Sequence, residues 1–308
     1  MNAVPGARTR AYPLTVGVVG AGRVGAVLGA ALTAAGHHVV AVAAVSTASR
    51  ERAARLLPDA AVLAAAEVAR AADLLLVAVP DDALERVVGG LASTGALRAG
   101  QIVAHTSGAH GLDVLGRARD QVRGMALHPA MTFTGADIDL DRLPGIAWGV
   151  TTDDKAVATR LVADLGGVPE WIAEADRPVY HAALAHGANH LVTLINEAAD
   201  LLRAAGVARP ERVLSPLLHA ALDNALRLGD AALTGPVSRG DAGTVGKHLD
   251  RIPAEAVPAY LALARRTADR AIAAGRLRPT EAAQLLDVLA RAQVAAPLTT
   301  SARKVGTR

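Results

Sequence analysis

A short segment near the start of the chain constrains the fold more than any other feature. Residues 14–25 read LTVGVVGAGRVG, a β-branched run followed by glycines spaced G-x-G-x-x-G and then by an apolar helix predicted over 24–35. In such a segment Gly20 turns the chain, Gly22 lets the backbone approach a pyrophosphate, and Gly25 lets the helix pack against the strand. The helix N-terminus then faces the phosphates. The alternative is an ordinary glycine-rich loop in a chain with 29 glycines.

The flanking strand and helix favour a dinucleotide site, because this fingerprint requires a strand before it and a helix after it. The predicted phosphate-binding residues are Gly20, Ala21, Gly22, Arg23, Val24 and Gly25.

The residues after the second predicted strand, 38–45, indicate which dinucleotide fits. NAD sites usually carry Asp or Glu there to accept a hydrogen bond from the ribose 2′-OH. This chain has Ser46, Arg50 and Arg52 instead, with no carboxylate before Glu51. Because guanidinium groups bind a 2′-phosphate, we expect NADP(H) rather than NADH, with Ser46 and Arg50 in the pocket. The alternative is that the arginines begin a solvated helix.

Composition excludes several classes of protein. The chain has 308 residues, enough for two domains, and no cysteine, which excludes disulfides, zinc-thiolate sites and cysteine nucleophiles. A net charge of +3, dispersed arginines and 2% aromatic residues argue against a nucleic-acid surface. No run of about 18 strongly apolar residues could span a membrane. Arg23 and the glycines interrupt the only apolar stretch that could pass for a signal peptide. We therefore expect a cytoplasmic protein that binds small anionic molecules, with neither nucleic-acid nor membrane partners.

A further apolar strand is predicted over 72–79, and it places residues beside the cofactor. Pro80 ends this strand, and the carboxyl ends of parallel strands line the ligand crevice, so Val79 and Pro80 are predicted to contact the dinucleotide. Asp81 and Asp82 are predicted to cap the next helix rather than to act as catalytic acids.

Polar residues also follow two later strands. Strand 102–104 leads to Ser107, a candidate donor to a substrate carboxylate or to the nicotinamide amide. Strand 122–127 delivers His128 ahead of Pro129, where the imidazole could be an acid, a substrate anchor or a hydrogen-bonded structural group. Two histidines flank Ser107, but no third ligand can be placed, so no metal site is predicted.

The second half of the chain reads as helical. Strands over 146–151 and 168–173 end the sheet, and helices are predicted over 177–205, 210–228, 241–250, 254–274 and 279–292, with Pro216 expected to kink or split the second. The predicted fold class is α/β, with an N-terminal Rossmann NADP-binding domain over 12–174 and an all-helical substrate and dimerisation domain over 175–295. Residues 1–11 and 298–308 are predicted to be a mobile arm and a basic disordered tail.

The first long helix carries a polar stripe. At about 100° per residue, His181 and Asn189 lie about 80° apart, and Ala185 between them leaves room for a ligand. We interpret His181 and Asn189 as candidate catalytic residues on a cleft wall. The alternative is a helix–helix interface with buried, hydrogen-bonded histidines. In the loop LTGPVSRGD, Asp241 is a predicted N-cap, and Arg239 is left to bind a substrate carboxylate.

Five stretches resemble a bacterial family described as a Rossmann-like domain joined to a C-terminal helical domain of unknown function, DUF2520. They are GAGRVG (20–25), LHPAMTF (127–133), RPVYHAA (177–183), ANHLV (188–192) and LTGPVSRGD (233–241). More distantly, the chain is similar to pyrroline-5-carboxylate reductases, β-hydroxyacid dehydrogenases and ketopantoate reductases. β-Hydroxyacid dehydrogenases carry a lysine four residues before an asparagine on the first long helix, where this chain has Ala185; ketopantoate reductases also rely on a lysine. His181, one turn away, replaces that lysine as the acid in our interpretation.

Residues and resemblance together predict an NADPH-dependent reductase of a small carboxylate-bearing carbonyl or imine compound. The resemblance implies a link to pantothenate biosynthesis and makes ketopantoate the leading substrate. His181 would donate a proton, Asn189 would polarise the reacting oxygen, and Arg239 and Ser107 would hold the carboxylate. The alternative is an NADP(H)-binding sensor or scaffold without turnover. A homodimer is expected because the apolar helical faces exceed what one small bundle can bury.

Overall fold

The computed structural model describes residues 13–295, with side chains to residue 293. The chain divides into two compact units, with the division between Ala188 and Asn189. The predicted arm, 1–11, and the predicted tail, 298–308, lie outside the described residues. No helix in the described part of the chain is long and apolar enough to cross a membrane.

The first unit contains an eight-stranded sheet. Its strands are β1 (Thr15–Val19), β2 (His38–Ala43), β3 (Ala61–Val62), β4 (Leu74–Val77), β5 (Ile102–His105), β6 (Arg123–Pro129), β7 (Ala147–Thr152) and β8 (Val168–Trp171). Their order is β3-β2-β1-β4-β5-β6-β7-β8. Every neighbouring pair is parallel except β6 and β7. The order of the first six strands is that of a doubly wound dinucleotide-binding fold, so the predicted α/β class is confirmed.

Helices cover both faces of this sheet. They are α1 (Arg23–Ala34), α2 (Thr47–Leu56), α3 (Ala65–Ala71), α4 (Asp81–Ser93), α5 (Ile138–Arg142), α6 (Lys155–Asp164) and α7 (Arg177–Leu184), with 3₁₀ turns at Asp113–Ala118 and Glu174–Asp176. Successive strand side chains point to opposite faces. In β4, Leu74 and Leu76 therefore join the core that includes α1 and α6, and Leu75 and Val77 join the core that includes α3 and α4. All four are buried, as a central parallel strand requires.

The start of α4 differs from the prediction. Pro80 occupies the N-cap position without a side-chain bond, and Asp81 and Asp82 lie in the first turn. Predicting them as caps was therefore wrong, because Pro80 already provides the extended residue that precedes the helix. Their negative charge still favours the helix N-terminus through the helix dipole.

The second unit is helical throughout its described part. It contains α8 (His190–Ala204), α9 (Pro210–Leu228), α10 (Ala242–Leu249), α11 (Val257–Ala273) and α12 (Pro279–Ala295), with 3₁₀ turns at Gly229–Ala232 and Val237–Arg239. Its core lies between α10, α11 and α12, around Val245, Leu261, Ala268 and Leu285. In contrast, α8 buries none of its described residues and α9 buries only Pro210 and Leu214.

One helix prediction is corrected, and the expectation for Pro216 is corrected in part. The single helix predicted over 177–205 is interrupted by a π-helical turn, Ala185–Asn189, between α7 and α8. The spacing of about 100° per residue does not hold across a π turn, so the predicted angle between His181 and Asn189 is wrong. Pro216 does not split α9, which is one continuous helix, and the kink at Pro216 stays a prediction. Proline has no N–H, so Pro216 cannot donate a hydrogen bond to the Arg212 carbonyl. Both residues are exposed, so water can donate to that carbonyl instead.

Candidate functional site

The glycine loop between β1 and α1 has the geometry that its sequence predicts. Gly20 has φ +100°, and a β-carbon there would lie 2.4 Å from the Ala78 carbonyl oxygen. A β-carbon on Gly25 would lie 2.1 Å from the Gly20 carbonyl oxygen, whereas one on Gly22 would meet no atom within 4 Å. Gly20 and Gly25 therefore allow close packing, and Gly22 borders open space. Because no side chain caps the N-terminus of α1, this loop fits a bound pyrophosphate.

Backbone hydrogen bonds align the neighbouring strand ends. The Ala78 N–H donates to the Val19 carbonyl over 2.8 Å, and the Thr106 N–H donates to the Val77 carbonyl over 3.2 Å. The carboxyl ends of β1, β4 and β5 therefore form one edge beside the glycine loop. Val79 lies at this edge, half-buried, with its Cγ1 3.1 Å from the position of a β-carbon on Gly20.

The predicted 2′-phosphate residues lie at the start of α2. Ser46 is the N-cap of α2, and its hydroxyl accepts a hydrogen bond from the Ser49 N–H over 3.2 Å. Arg50 is exposed, and its Nε donates to the Ala44 carbonyl over 3.3 Å. This hydrogen bond holds the Arg50 guanidinium beside the backbone that follows β2.

Arg52 has a different position. Its Nη1 donates to the Ala21 carbonyl over 3.1 Å, and its Nε lies 2.6 Å from the point that a β-carbon on Gly135 would occupy. The Arg23 side chain also lies against Gly135. Arg52 therefore ties the glycine loop to the segment after β6, a contact that sequence reasoning did not predict.

The loop after β5 is held by a buried histidine. The His105 Nε2–H donates to the Gly111 carbonyl over 2.8 Å, while Nδ1 accepts from the Ser107 N–H over 3.3 Å. Burial lowers the pKa of His105 to about 4, so the ring is neutral. The Ser107 hydroxyl, also buried, accepts from the His110 N–H over 3.1 Å. His105 is thus structural, and it fixes the position of Ser107.

Gly108 separates the two histidines that the sequence singles out. A β-carbon there would lie 2.7 Å from His181 Cδ2 and 3.1 Å from His128 Nε2. The ring centroids of His128 and His181 are 6.1 Å apart. Two half-buried imidazoles from β6 and α7 therefore converge on a residue without a side chain, at the edge formed by the strand ends.

His128 also contacts Tyr180. The His128 Nδ1 lies 2.9 Å from the Tyr180 hydroxyl oxygen, with the rings edge to face. Burial, followed by the electrostatic effects of His181 and Arg177, lowers the pKa of His128 to about 4. Burial raises the pKa of Tyr180. Tyr180 packs on Gly149, where a β-carbon would lie 2.5 Å from the hydroxyl oxygen.

Arg177 lies fully buried beneath these rings. Its Nε donates to Thr151 Oγ1 over 2.8 Å, and its Nη1 donates to the Ser107 carbonyl over 3.0 Å. Its Nη2 donates to the carbonyls of Ala126 and Gly149, both over 2.9 Å. One guanidinium thus fastens the loop after β5 to strands β6 and β7.

The positive charge of Arg177 reaches the site. Burial lowers its pKa to about 10, so it stays protonated near neutral pH. Its Cζ lies 5.9 Å from the centroid of the Tyr180 ring. Sequence reasoning missed both residues as parts of the site, although both lie in the motif RPVYHAA. An arginine in the first turn of a helix is typical of a solvated position. Arg177 is buried instead, because its guanidinium donates to carbonyl groups that are distant in the sequence.

Two predicted site residues belong to the second unit. Asn189 ends the π turn and is exposed, and Arg239 is exposed in the 3₁₀ turn Val237–Arg239. Within residues 13–295 the Arg239 guanidinium has no hydrogen-bond partner. The predicted cap at Asp241 is confirmed, since its carboxylate accepts from the Thr244 N–H over 2.9 Å. The roles of Asn189 and Arg239 beside His181 stay predictions.

The strand order and glycine loop define a Rossmann-like nucleotide-binding fold. A family model for a Rossmann-like domain matches residues 3–129, and a model for a domain of unknown function, DUF2520, matches residues 146–267. The chain therefore combines a Rossmann-like domain with a DUF2520 domain, as its motifs predict. No curated protein matches the sequence.

Several solved structures share the fold. A protein from Bacteroides fragilis, provisionally described as an NADP oxidoreductase, is 22% identical with a TM-score of 0.70, covering 83% of this chain and 98% of its own. An imine reductase from Pseudomonas sp. is 24% identical with a TM-score of 0.61, covering 85% and 99%. A reductive aminase from Aspergillus terreus, solved with NADPH and ethyl-5-oxohexanoate, is 18% identical with a TM-score of 0.54, covering 92% and 94%. The chain thus shares its fold with these three proteins.

Proposed function

We propose that the protein is an NADPH-dependent reductase of a small carbonyl or imine compound that bears a carboxylate. One observation carries the proposal: the open glycine loop and two converging imidazoles, His128 and His181, lie at the same edge of one sheet. A nucleotide-binding loop alone would suit a sensor. Histidines beside it supply the groups that proton transfer during a reduction requires.

Each group in the proposed reaction has a separate role. Bound NADPH would supply a hydride to the carbon of the substrate double bond. An imidazole at Gly108 donates the proton, a role that the sequence predicts for His181. The polarising role of Asn189 and the carboxylate-binding roles of Ser107 and Arg239 are those that the sequence predicts.

The proposal also specifies the cofactor and the type of substrate double bond. The exposed Arg50 and the lack of a carboxylate at the end of β2 support NADPH over NADH. The imine reductase and the reductive aminase among the similar structures support a C=N substrate. Ketopantoate stays a predicted substrate that rests on the sequence resemblance.

The test follows NADPH absorbance at neutral pH with a panel of substrates. The panel contains ketopantoate, other 2-keto acids, and cyclic imines with and without a carboxylate, and each is repeated with NADH. We expect oxidation of NADPH in preference to NADH by at least one carboxylate-bearing member. Tight NADPH binding by calorimetry without oxidation by any member would contradict the proposal and favour the sensor.

We also propose that the protein is a homodimer. Several large apolar side chains are exposed on α8 and α9: Val192, Leu194, Val213, Leu217, Leu222, Leu226 and Leu228. Large exposed apolar patches often mark an interface, and these side chains all lie on two successive helices. A second copy of the chain is the partner that the sequence predicts.

A further inference from the structure

The hydrogen bond between Tyr180 and His128 joins the hydroxyl to Nδ1, and its direction depends on which ring nitrogen carries the proton. The pKa of His128, about 4, leaves its ring neutral near pH 7, so it carries one proton on one nitrogen. The hydroxyl of Tyr180 lies 2.9 Å from Nδ1. A tyrosine hydroxyl that donates to Nδ1 requires the ring proton to be on Nε2.

The other ring nitrogen, Nε2, lies against Gly108. His128 Nε2 lies 3.1 Å from the point where a β-carbon on Gly108 would stand. This is the place where His181 also approaches and where the chain has no side chain. An Nε2–H at this position is a donor at the edge where the strand ends meet.

We propose that Tyr180 and His128 form a proton relay, in which His128 Nε2–H protonates the substrate heteroatom and the Tyr180 hydroxyl replaces that proton at Nδ1. This inference rests on the proposed reductase function. It assigns the donor role to His128 rather than to His181. It also adds Tyr180 as a catalytic residue and Arg177 as a positioning residue.

The relay balances protons and electrons. The substrate double bond gains a hydride from NADPH at carbon and a proton from His128 Nε2 at nitrogen or oxygen. As the Nε2–H bond breaks, the Tyr180 O–H bond breaks and an Nδ1–H bond forms, so the imidazole stays neutral. The product leaves Tyr180 as a tyrosinate, which takes a proton from water after turnover.

Arg177 makes both halves of this transfer favourable. Burial is the main cause of the low pKa of His128, and the charge of Arg177 adds to it; the same charge opposes the effect of burial on the pKa of Tyr180. The guanidinium carbon lies 5.9 Å from the centre of the Tyr180 ring and faces the developing tyrosinate. The other titratable groups that act on His128 are His181 and Asp81.

The chain contains a matched control for this pair. In the second unit, the His248 Nδ1 lies 2.9 Å from the Tyr260 hydroxyl, with ring centroids 6.0 Å apart and an interplanar angle of 89°. The corresponding values for His128 and Tyr180 are 2.9 Å, 5.6 Å and 87°. Tyr260→Phe therefore removes the same hydroxyl from the same geometry in a pair that takes no part in the relay.

The kinetic test compares Tyr180→Phe with Tyr260→Phe on a substrate found in the panel. Tyr180→Phe keeps the ring on Gly149 and removes only the proton source. We expect kcat to fall about 100-fold, as for the loss of a general acid, with the dissociation constant of NADPH unchanged. Tyr260→Phe should keep kcat within twofold. A Tyr180→Phe enzyme with kcat within threefold of wild type and the same pH profile would overturn the relay.

A second readout does not depend on turnover. Nitrogen-15 NMR of the full chain reports which ring nitrogen of His128 is protonated. We expect a neutral Nε2–H ring between pH 6 and 8, and a shifted Nδ1 resonance in Tyr180→Phe. A His128 that is charged at pH 7, or protonated on Nδ1, would overturn the relay even if the reductase is active. If NADPH is not oxidised by any substrate, the proposed function fails and the relay fails with it, whereas kinetic loss confined to Tyr180→Phe supports both.

Discussion

At the scale of single residues, the glycines of the motif G-x-G-x-x-G meet two different requirements, close packing and space for a ligand. Gly25 is needed for packing, because a β-carbon would lie 2.1 Å from the Gly20 carbonyl oxygen. Gly22 has φ −69°, which any residue adopts, and a β-carbon there would meet no atom within 4 Å. A substitution at Gly25 should therefore affect folding, whereas a substitution at Gly22 should affect ligand binding.

We predict opposite outcomes for Gly25→Ala and Gly22→Val. Gly25→Ala should lower the free energy of unfolding by about 2 kcal/mol or more, because backbone must shift to admit the methyl group. Gly22→Val should leave thermal stability nearly unchanged and weaken NADPH binding at least about tenfold, a loss of about 1.4 kcal/mol. Urea unfolding and calorimetry measure the two effects. Equal NADPH affinity of Gly22→Val and wild type would argue against a pyrophosphate at this loop.

The sequence predicts residues of the site when their chemistry depends on local context. The glycines follow a strand and His128 lies near the end of β6, and a strand end is visible in the sequence. Arg177 and Tyr180 could not be found in this way, because their partners Ala126, Gly149 and Thr151 are backbone groups or a hydroxyl on β6 and β7. Which carbonyls a guanidinium meets depends on strand order, which the sequence does not state.

At the scale of elements, α6 depends on one carboxylate at its N-terminus. The Asp154 side chain accepts from the Val157 N–H over 3.2 Å and from the Arg123 Nε over 2.8 Å. Burial opposes ionisation of Asp154, but the bonds from Arg123 and Val157 outweigh it and lower its pKa. The carboxylate therefore stabilises the folded state above the pKa of the unfolded chain, and this contribution is lost as pH falls through the lower folded pKa.

We predict that Asp154→Ala lowers the free energy of unfolding by about 1 kcal/mol at pH 7. The difference from wild type should shrink as pH falls below about 4, the ordinary range for an aspartate. Urea titrations at several pH values measure it. Asp153→Ala, which removes the exposed neighbouring carboxylate, should have little effect at any of these pH values. A penalty that persists unchanged at pH 3 would contradict the role of the ionised cap.

Most elements follow from local pattern, and the exceptions have physical reasons. Buried strands such as β4 are apolar runs, and helices such as α10 begin at a capping residue, so both kinds were predictable. The reversal of β7 relative to β6 was not, because it depends on how the connection through α5 returns to the sheet. The π turn at Ala185–Asn189 has no pattern that distinguishes it from α-helix, since both are continuous helical sequence.

At the scale of the whole molecule, the exposed apolar residues of α8 and α9 predict self-association. Leu226 is 79% exposed and Leu222 is 50% exposed, one turn apart on α9. Placing two charges there should prevent burial against a second copy, because an unpaired buried charge is costly. We predict a dimer for wild type and a monomer for the double variant Leu222→Lys, Leu226→Lys, by sedimentation at micromolar concentration. Leu286→Lys, which alters an exposed leucine of α12, should remain dimeric, and a monomeric wild type would contradict the proposal.

The guanidinium of Arg177 has a consequence for how this protein can change over evolution or by design. Three of its four hydrogen bonds go to peptide carbonyls, those of Ser107, Ala126 and Gly149. A bond to a peptide group is indifferent to the side chain that the residue carries. Side chains on the loop and strands that it joins can therefore be replaced to admit new substrates while their backbones keep their positions. Arg177 therefore keeps the backbone of the site in place while the side chains around it change.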